Sequence, residues 1–293
     1  MTPIHRIAAA TLAAAVAAVT PAYALDLGDF VDKKALDQVA RDKLGVKTDT
    51  ANPADAAIPL TGNPSEADEE KLGREIAGRL LGAADLVRDE KLQQYVNRVG
   101  RYVAAQSPRP DIRWTFGVID SSDVNAFAAP GGYVFVTRGL YQLLRSEAEL
   151  AGVLGHEIAH VTQRHHVKLM QKQRALQLGQ ELLLKKADGD TVKALVGNGA
   201  EIYARALDKG SEYEADRLGV QYAARAGYDG YSLAAVLDRM GADSTTDKFT
   251  LLYKTHPLPS ERLNALDKAI GNRFDGLKQN ATLENRLVKI SAP

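Results

Sequence analysis

Gly155-His156-Glu157-Ile158-Ala159-His160 decides how the rest of the chain is read. On a helix, two histidines four residues apart project within roughly 40° of one another, at about 100° per residue. Both imidazoles can then bind one Zn²⁺, and Glu157 between them can act as general base on a water. A solvated helix that happens to carry two histidines and an acid is the plainer alternative. The helical wheel argues against it. Leu150, Val153, Leu154, Ile158 and Val161 form an apolar stripe, and Glu157 falls at its edge, between Val153 and Val161. A carboxylate there is costly without a partner, and a water held at a metal would be one. Histidine is also scarce, 6 of 293 residues, which makes a chance match uncommon.

Upstream, Ser146 caps this helix, and Glu149 three residues on completes a capping box. Tyr133–Thr137 reads as a strand after the turn Pro130-Gly131-Gly132, and Arg138–Leu144 as a short helix. Ile112–Ile119 alternates, with Ile112, Trp114, Phe116 and Val118 on one face, while Ser121–Ala129 reads as a loop. Two helices precede the sheet. One is capped by Ser65, opens with Glu66, Asp68, Glu69 and Glu70, and runs towards Leu81; the other is Asp89–Ala105. Downstream, Val161–Ala187 continues as a long polar helix. His165 lies about 140° round from His160 on that helix, so His165 and His166 are expected at the surface. Further helices are expected over Asp190–Ala206, Lys209–Arg225, Tyr228–Met240 and Glu261–Ile270, and the last 20 or so residues read as a loose tail.

The start of the chain reads as a targeting segment. Met1–Arg6 is polar, Ile7–Ala22 is apolar and Ala-rich, and Ala22-Tyr23-Ala24 is a small-x-small site with cleavage expected after Ala24. Residues 25–64 form an N-terminal helix or arm and a linker, 65–272 the main domain, and 273–293 the tail. Lys+Arg and Asp+Glu are both 37, so the net charge is zero and nothing points to a nucleic-acid partner. There is no Cys, hence no disulfide and no thiolate ligand. No second apolar run spans a membrane, so the mature chain is expected to be periplasmic, with no transmembrane segment.

Catalytic zinc usually takes three protein ligands and keeps one position open. Without Cys the third must be His, Asp or Glu. Ser211-Glu212-Tyr213-Glu214-Ala215-Asp216 offers the best candidates. Glu212 and Asp216 share a helical face with the small residues Gly219 and Ala223, whereas Glu214 is turned about 200° away. Acids are also common at helix starts for their own reasons, so spacing alone leaves the choice open.

Four stretches in order, Asn125–Leu140, Glu147–His160, Glu212–Gly219 and Thr255–Arg262, together resemble metallopeptidase family 48, the family of HtpX and the CAAX prenyl proteases, in its secreted bacterial branch. The resemblance covers about Glu66 to Ile270. It implies an α+β, mostly helical, zincin-like fold with a small β-sheet packed beside the H-E-x-x-H helix. It implies one Zn²⁺ per chain on His156, His160 and Glu212, with Glu157 as catalytic base and Asp216 bonded to a ligand histidine. It places His256 and Arg262 near the metal as further catalytic residues, His256 also being able to close onto zinc. It makes Gly132, Tyr133, Val134, Phe135 and Val136 the cleft-edge strand that binds an extended peptide. The implied function is a periplasmic zinc endopeptidase that degrades misfolded envelope proteins; the alternative is a chaperone-like assembly factor for outer-membrane proteins with latent protease activity. Unfolded or extended polypeptides, and the outer-membrane assembly machinery, are the implied partners. The membrane-spanning helices and the C-terminal helical-repeat domain of some relatives have no counterpart in the sequence.

Overall fold

The computed structural model describes residues 62–172, 209–242, 247–249, 252, 256–276 and 281–290. The targeting segment, the N-terminal helix or arm, nearly all of the linker and the stretch expected as the Asp190–Ala206 helix lie outside the described residues.

Helix α1 is Glu66–Ala83, capped by the Ser65 side chain, which accepts from the Asp68 amide. Helix α2 is Glu90–Ala104, capped in the same way by Asp89. Three short strands follow: β1 Thr115–Ile119, β2 Ala126–Ala129 and β3 Tyr133–Thr137. The stretch expected as a loop thus contains a strand. The β2–β3 connection turns through Gly131 and Gly132, both left-handed at φ 74° and 95°, where a side chain would be strained. Helix α3, Arg138–Leu143, leads into α4, Glu147–Thr162, which carries the H-E-x-x-H motif. Then come α5, described over 165–172, and α6, over 209–225. Ser232–Ala242 is α7, and Pro259–Ile270 is α8, with its proline in the first turn. No described helix is long and apolar enough to cross a membrane.

The architecture is the expected mostly helical α+β, zincin-like one, with a three-stranded mixed sheet. Strand order is β1-β3-β2, β3 running parallel to β1 and antiparallel to β2. Val134 and Val136 face the main core, while Phe135 and Ile119 face a smaller cluster with Ala77 and Leu80 of α1. Period-two alternation therefore puts helices on both faces of the sheet.

α4 is buried on every side, not along one stripe: all sixteen of its residues are buried. Its cap holds as expected, the Ser146 hydroxyl accepting from the Glu149 amide at 3.1 Å. The return bond differs. Glu149 Oε2 accepts from the Arg145 amide, and its carboxylate takes two bonds from Arg239 of α7 at 2.8 and 2.9 Å. The acid that should close the cap ties two helices together instead.

Two expectations are corrected. The helix does not run on through Val161–Ala187: α4 ends at Thr162, and Arg164 adopts φ 56° before α5 begins. Nor is all of the tail loose. Thr282 and Leu283 carbonyls accept from the Ala148 and Glu147 amides, and Val288 C=O accepts from the Tyr141 hydroxyl at 2.6 Å. These bonds lay 281–290 across the start of α4, where they satisfy amides that a helix leaves unpaired.

Candidate metal centre

α4 and α6 touch backbone to backbone. A Cβ added at Gly219 would lie 2.5 Å from the His156 nitrogen, and one at Gly155 would lie 2.5 Å from the Gly219 carbonyl oxygen. Only two glycines allow that approach. It brings the first two turns of α6 alongside the two histidines of α4.

Glu212 is 2 % exposed and lies within the cluster. Its Oε1 is 3.2 Å from His160 Nε2, its Oε2 is 3.6 Å from His156 Nε2, and the two Nε2 atoms are 3.0 Å apart. His256, from the turn before α8, places Nδ1 2.6 Å from Glu212 Oε2. Ligand atoms of His156, His160, Glu212 and His256 all lie within 4.8 Å of one another and could together hold a metal ion.

The rings are oriented for it. His156 Nδ1 is 2.8 Å from Asp216 Oδ1. A carboxylate only accepts, so the proton sits on Nδ1 and the Nε2 lone pair faces the cluster. His160 points its Nε2 the same way. Two ring lone pairs and a carboxylate converge, an arrangement that a cation completes. Tetrahedral ligands with bonds of 2.0–2.1 Å stand about 3.3 Å apart, and the three distances of 3.0, 3.2 and 3.6 Å bracket that value. The residues fit a metal.

Electrostatics agree. Burial alone would push the Glu212 carboxyl up, but His256 and His160 facing it hold it well below the usual carboxylate range. Burial, then the Arg262 guanidinium, lower His156 to about 3, so the ring is neutral and able to ligate. Burial raises Glu157. Glu157 is 3 % exposed, and among the described residues no group hydrogen-bonds its carboxylate. A carboxyl kept basic and uncommitted suits a proton acceptor.

Asp216 lies behind His156. Arg262 is bonded to the residue behind His156. Its Nε and Nη2 donate to the two oxygens of Asp216 at 3.0 and 2.6 Å, and Nη2 lies 3.2 Å from His156 Nδ1. The guanidinium is therefore on the side of the ring away from the ligand cluster. It steadies Asp216, as a bidentate arginine does, and it also lines the pocket that Glu157, His156 and His256 share.

The expected peptide edge is also corrected. Tyr133, Val134, Phe135 and Val136 form the middle strand, bonded on both sides, and Gly132 sits in the turn before it. Gln93 closes the outer edge of β1 by donating to Val118 C=O and accepting from Val118 N–H. Among the described residues no strand pairs with the outer edge of β2. Thr137 N–H donates to Asn125 C=O. In an antiparallel ladder the next residue, Ala126, and then Ala128 turn their backbone groups outward. The Ala126 amide is taken by Asn125 Oδ1, which leaves Ala128 N–H, Ala128 C=O and Ala126 C=O on the open edge. Ala126 lines one pocket with Glu157, His156 and His256, walled by Leu140, Val153, Leu233 and Leu237.

His165 and His166 were expected at the surface. His166 keeps some exposure, yet its ring centroid lies 5.6 Å from that of His160 and burial lowers it to about 3, while His165 is 7 % exposed, with Nδ1 3.0 Å from His160 Nδ1. The wheel missed it because it assumed an unbroken helix. Nothing in Gln163-Arg164-His165 announces the break, since no Gly, Asn or Pro stands there.

A buried His-His-Glu cluster on an H-E-x-x-H helix, with the buried Glu157 carboxylate and the β2 strand edge beside it, defines a metal-dependent peptidase fold of the zincin kind. The chain belongs to peptidase family M48, whose model matches residues 89–270. It is 32% identical over 257 residues to the beta-barrel assembly-enhancing protease of Yersinia pestis, covering 83% of this chain and 52% of that protein. The Escherichia coli K12 protein of the same name is 31% identical over 209 residues, 68% of this chain and 43% of that one. The mitochondrial metalloendopeptidase OMA1 of Schizosaccharomyces pombe is 30% identical over 178 residues, 59% of this chain and 52% of that one. The chain spans about half the length of the curated relatives it matches.

Proposed function

We propose that this chain is a zinc endopeptidase of the bacterial periplasm that cleaves extended segments of envelope proteins, outer-membrane proteins that fail to assemble among them. The observation that carries the reading is the convergence of His156, His160 and Glu212 beside Glu157, a buried carboxylate that no described residue hydrogen-bonds. Two His and one Glu are a donor set that zinc uses in catalytic sites. The Ala-rich leader ending in Ala22-Tyr23-Ala24 supports export, and the names of the bacterial relatives support the link to β-barrel assembly.

In this mechanism His156, His160 and Glu212 hold the ion and Asp216 keeps His156 in the ligating tautomer. A bound zinc supplies Lewis acidity, polarising a carbonyl and making a water more acidic. A peptide adds to the β2 edge, donating to Ala128 C=O and accepting from Ala128 N–H. An apolar side chain enters the pocket between Val153 and Leu237. Glu157 takes the proton of the attacking water and delivers it to the leaving amine. His256 donates to the tetrahedral oxyanion once peptide is in place.

A second reading, an assembly factor whose protease activity is latent, is favoured by one contact. His256 lies 2.6 Å from Glu212 and within reach of the same ion, so it can fill the position a substrate needs. One experiment tests the main reading: zinc content by mass spectrometry, with casein cleavage by the wild type and by Glu157→Gln. One zinc per chain in both, with cleavage in the wild type alone, is the expected result. Wild-type protein purified free of chelator and without zinc would overturn it.

A further inference from the structure

The turn after the H-E-x-x-H helix has a purpose that neither the motif nor the cluster explains. A non-glycine residue in the left-handed region costs about 1 kcal/mol or more, so Arg164 at φ 56° must be held there. Its Nε donates to Glu69 Oε1 at 2.6 Å. Glu69 is 1 % exposed and its other oxygen accepts from Arg109 at 2.8 Å. α1 thus anchors the turn, and the turn folds His165 back under His160.

His165 then makes two contacts. Its Nδ1 lies 3.0 Å from His160 Nδ1, and its Nε2 lies 3.2 Å from Glu214 Oε2. The order of donors follows from the far end. Glu214 only accepts, so the His165 proton is on Nε2. His165 Nδ1 is then a bare acceptor, and the proton between the rings belongs to His160 Nδ1. His160 is left with its Nε2 lone pair aimed at Glu212 and His156. His165 stands outside the set whose ligand atoms converge, so it orients a ligand and is not one.

We infer that His165, held against Glu214, is the positioning residue that fixes the tautomer and direction of His160. This rests on the metal-site reading above. The 212–216 stretch then supplies one acid to the cluster and one behind each histidine: Asp216 reaches His156 directly, and Glu214 reaches His160 through His165. Glu214 is 41% exposed, where an ion pair adds little to stability. Its value lies in orientation, since partners of this kind set ring tautomer and ligand basicity.

The test compares His165→Leu, His165→Gln and Glu214→Ala in the full chain. Zinc affinity is read by chelator competition, and the melting temperature is read on metal-free protein. Leu keeps the volume and removes both contacts. Gln can accept from His160 with its amide oxygen and donate to Glu214 with its amide nitrogen. His165→Leu should lower zinc affinity on the order of 10- to 100-fold with the metal-free melting temperature unchanged. His165→Gln should recover most of that loss, which no merely space-filling role would give. Cobalt-loaded His165→Leu should show a shifted visible absorption. His165→Leu with zinc affinity within about twofold of wild type, or His165→Gln as weak as His165→Leu, would overturn the inference. If His165→Leu does not fold, the exposed Glu214→Ala decides: a loss of roughly threefold or more supports it and wild-type affinity overturns it. Failure of the underlying reading looks different, because the wild type itself would then take up no zinc.

Discussion

Gly219→Ala should weaken metal binding while adding a single methyl group. The new Cβ would meet the His156 nitrogen at 2.5 Å and the Gly155 carbonyl carbon and His156 Cα at 2.7 Å. All three are backbone atoms, so no rotamer change relieves the contact. Ordinary carbon contacts start at about 3.5 Å, so α6 must retreat from α4 by about 1 Å. Overpacking of this kind costs about 1–3 kcal/mol, which lowers the melting temperature of the metal-free protein by roughly 4–8 °C for a midpoint of 2 kcal/mol. Function should suffer more. Glu212 and Asp216 ride on the helix that moves, and metal sites tolerate about 0.2 Å in ligand distance. Zinc affinity should fall at least about tenfold, and peptide cleavage about 100-fold, as a misplacement of 1 Å does. Gly210→Ala is the control. It lies at the start of the same helix with nothing within 4 Å of its added Cβ, so it should be neutral or stabilise by about 0.4–1 kcal/mol. Chelator competition and thermal melts on both variants check this. Gly219→Ala protein with wild-type zinc affinity would show that the glycine contact does not set the site.

Glu157→Gln should keep zinc and lose peptide hydrolysis; cleavage at the wild-type rate would move the base elsewhere. Ala128→Pro, which removes the outward amide of the open edge, should raise KM for peptide about 2- to 10-fold, the worth of one hydrogen bond, with zinc retained; an unchanged KM would mean that peptide does not pair there. Val134→Pro, in the middle of the sheet, should instead unfold the domain, seen as loss of a cooperative melt. His256→Ala should raise casein cleavage and leave zinc bound if the ring blocks the site. Lower turnover at unchanged KM would show oxyanion stabilisation to be its main part, and no change in either would remove it from the mechanism.

Much of the fold was legible in period and punctuation. Ser65 and Ser146 each stand as the N-cap expected of them, and Asp89, expected as the first residue of its helix, is its N-cap. Tyr133–Thr137 is a strand to the residue, because Tyr, Val, Phe, Val and Thr all favour one. Ala126-Phe127-Ala128-Ala129 hid as a loop, since three alanines carry no strand preference and only pairing with β3 makes them one. Strand order is tertiary, so the open edge could not be assigned: the stretch with the strongest strand signal became the middle strand, and the weakest became the edge.

The site shows the limit of the helical wheel more sharply. The wheel grouped Glu212 with Asp216 and set Glu214 about 200° away. A wheel measures direction around one axis and assumes that one neighbour matters. α6 meets α4 at Gly219, α8 through Arg262 on Asp216, and the chain leaving α4, which Arg164 turns back. An acid on the far side of the wheel is then still within reach of the same histidine pair, through His165. Seeing this from sequence requires knowing that α4 stops at Thr162, and the stop is enforced from outside, by Glu69 of α1 gripping Arg164. Ninety-five residues separate that grip from its target. The metal-binding motif is local and therefore legible; the residues that orient it come from three elements and are placed by contacts, so no periodicity within any one of them could reveal their part.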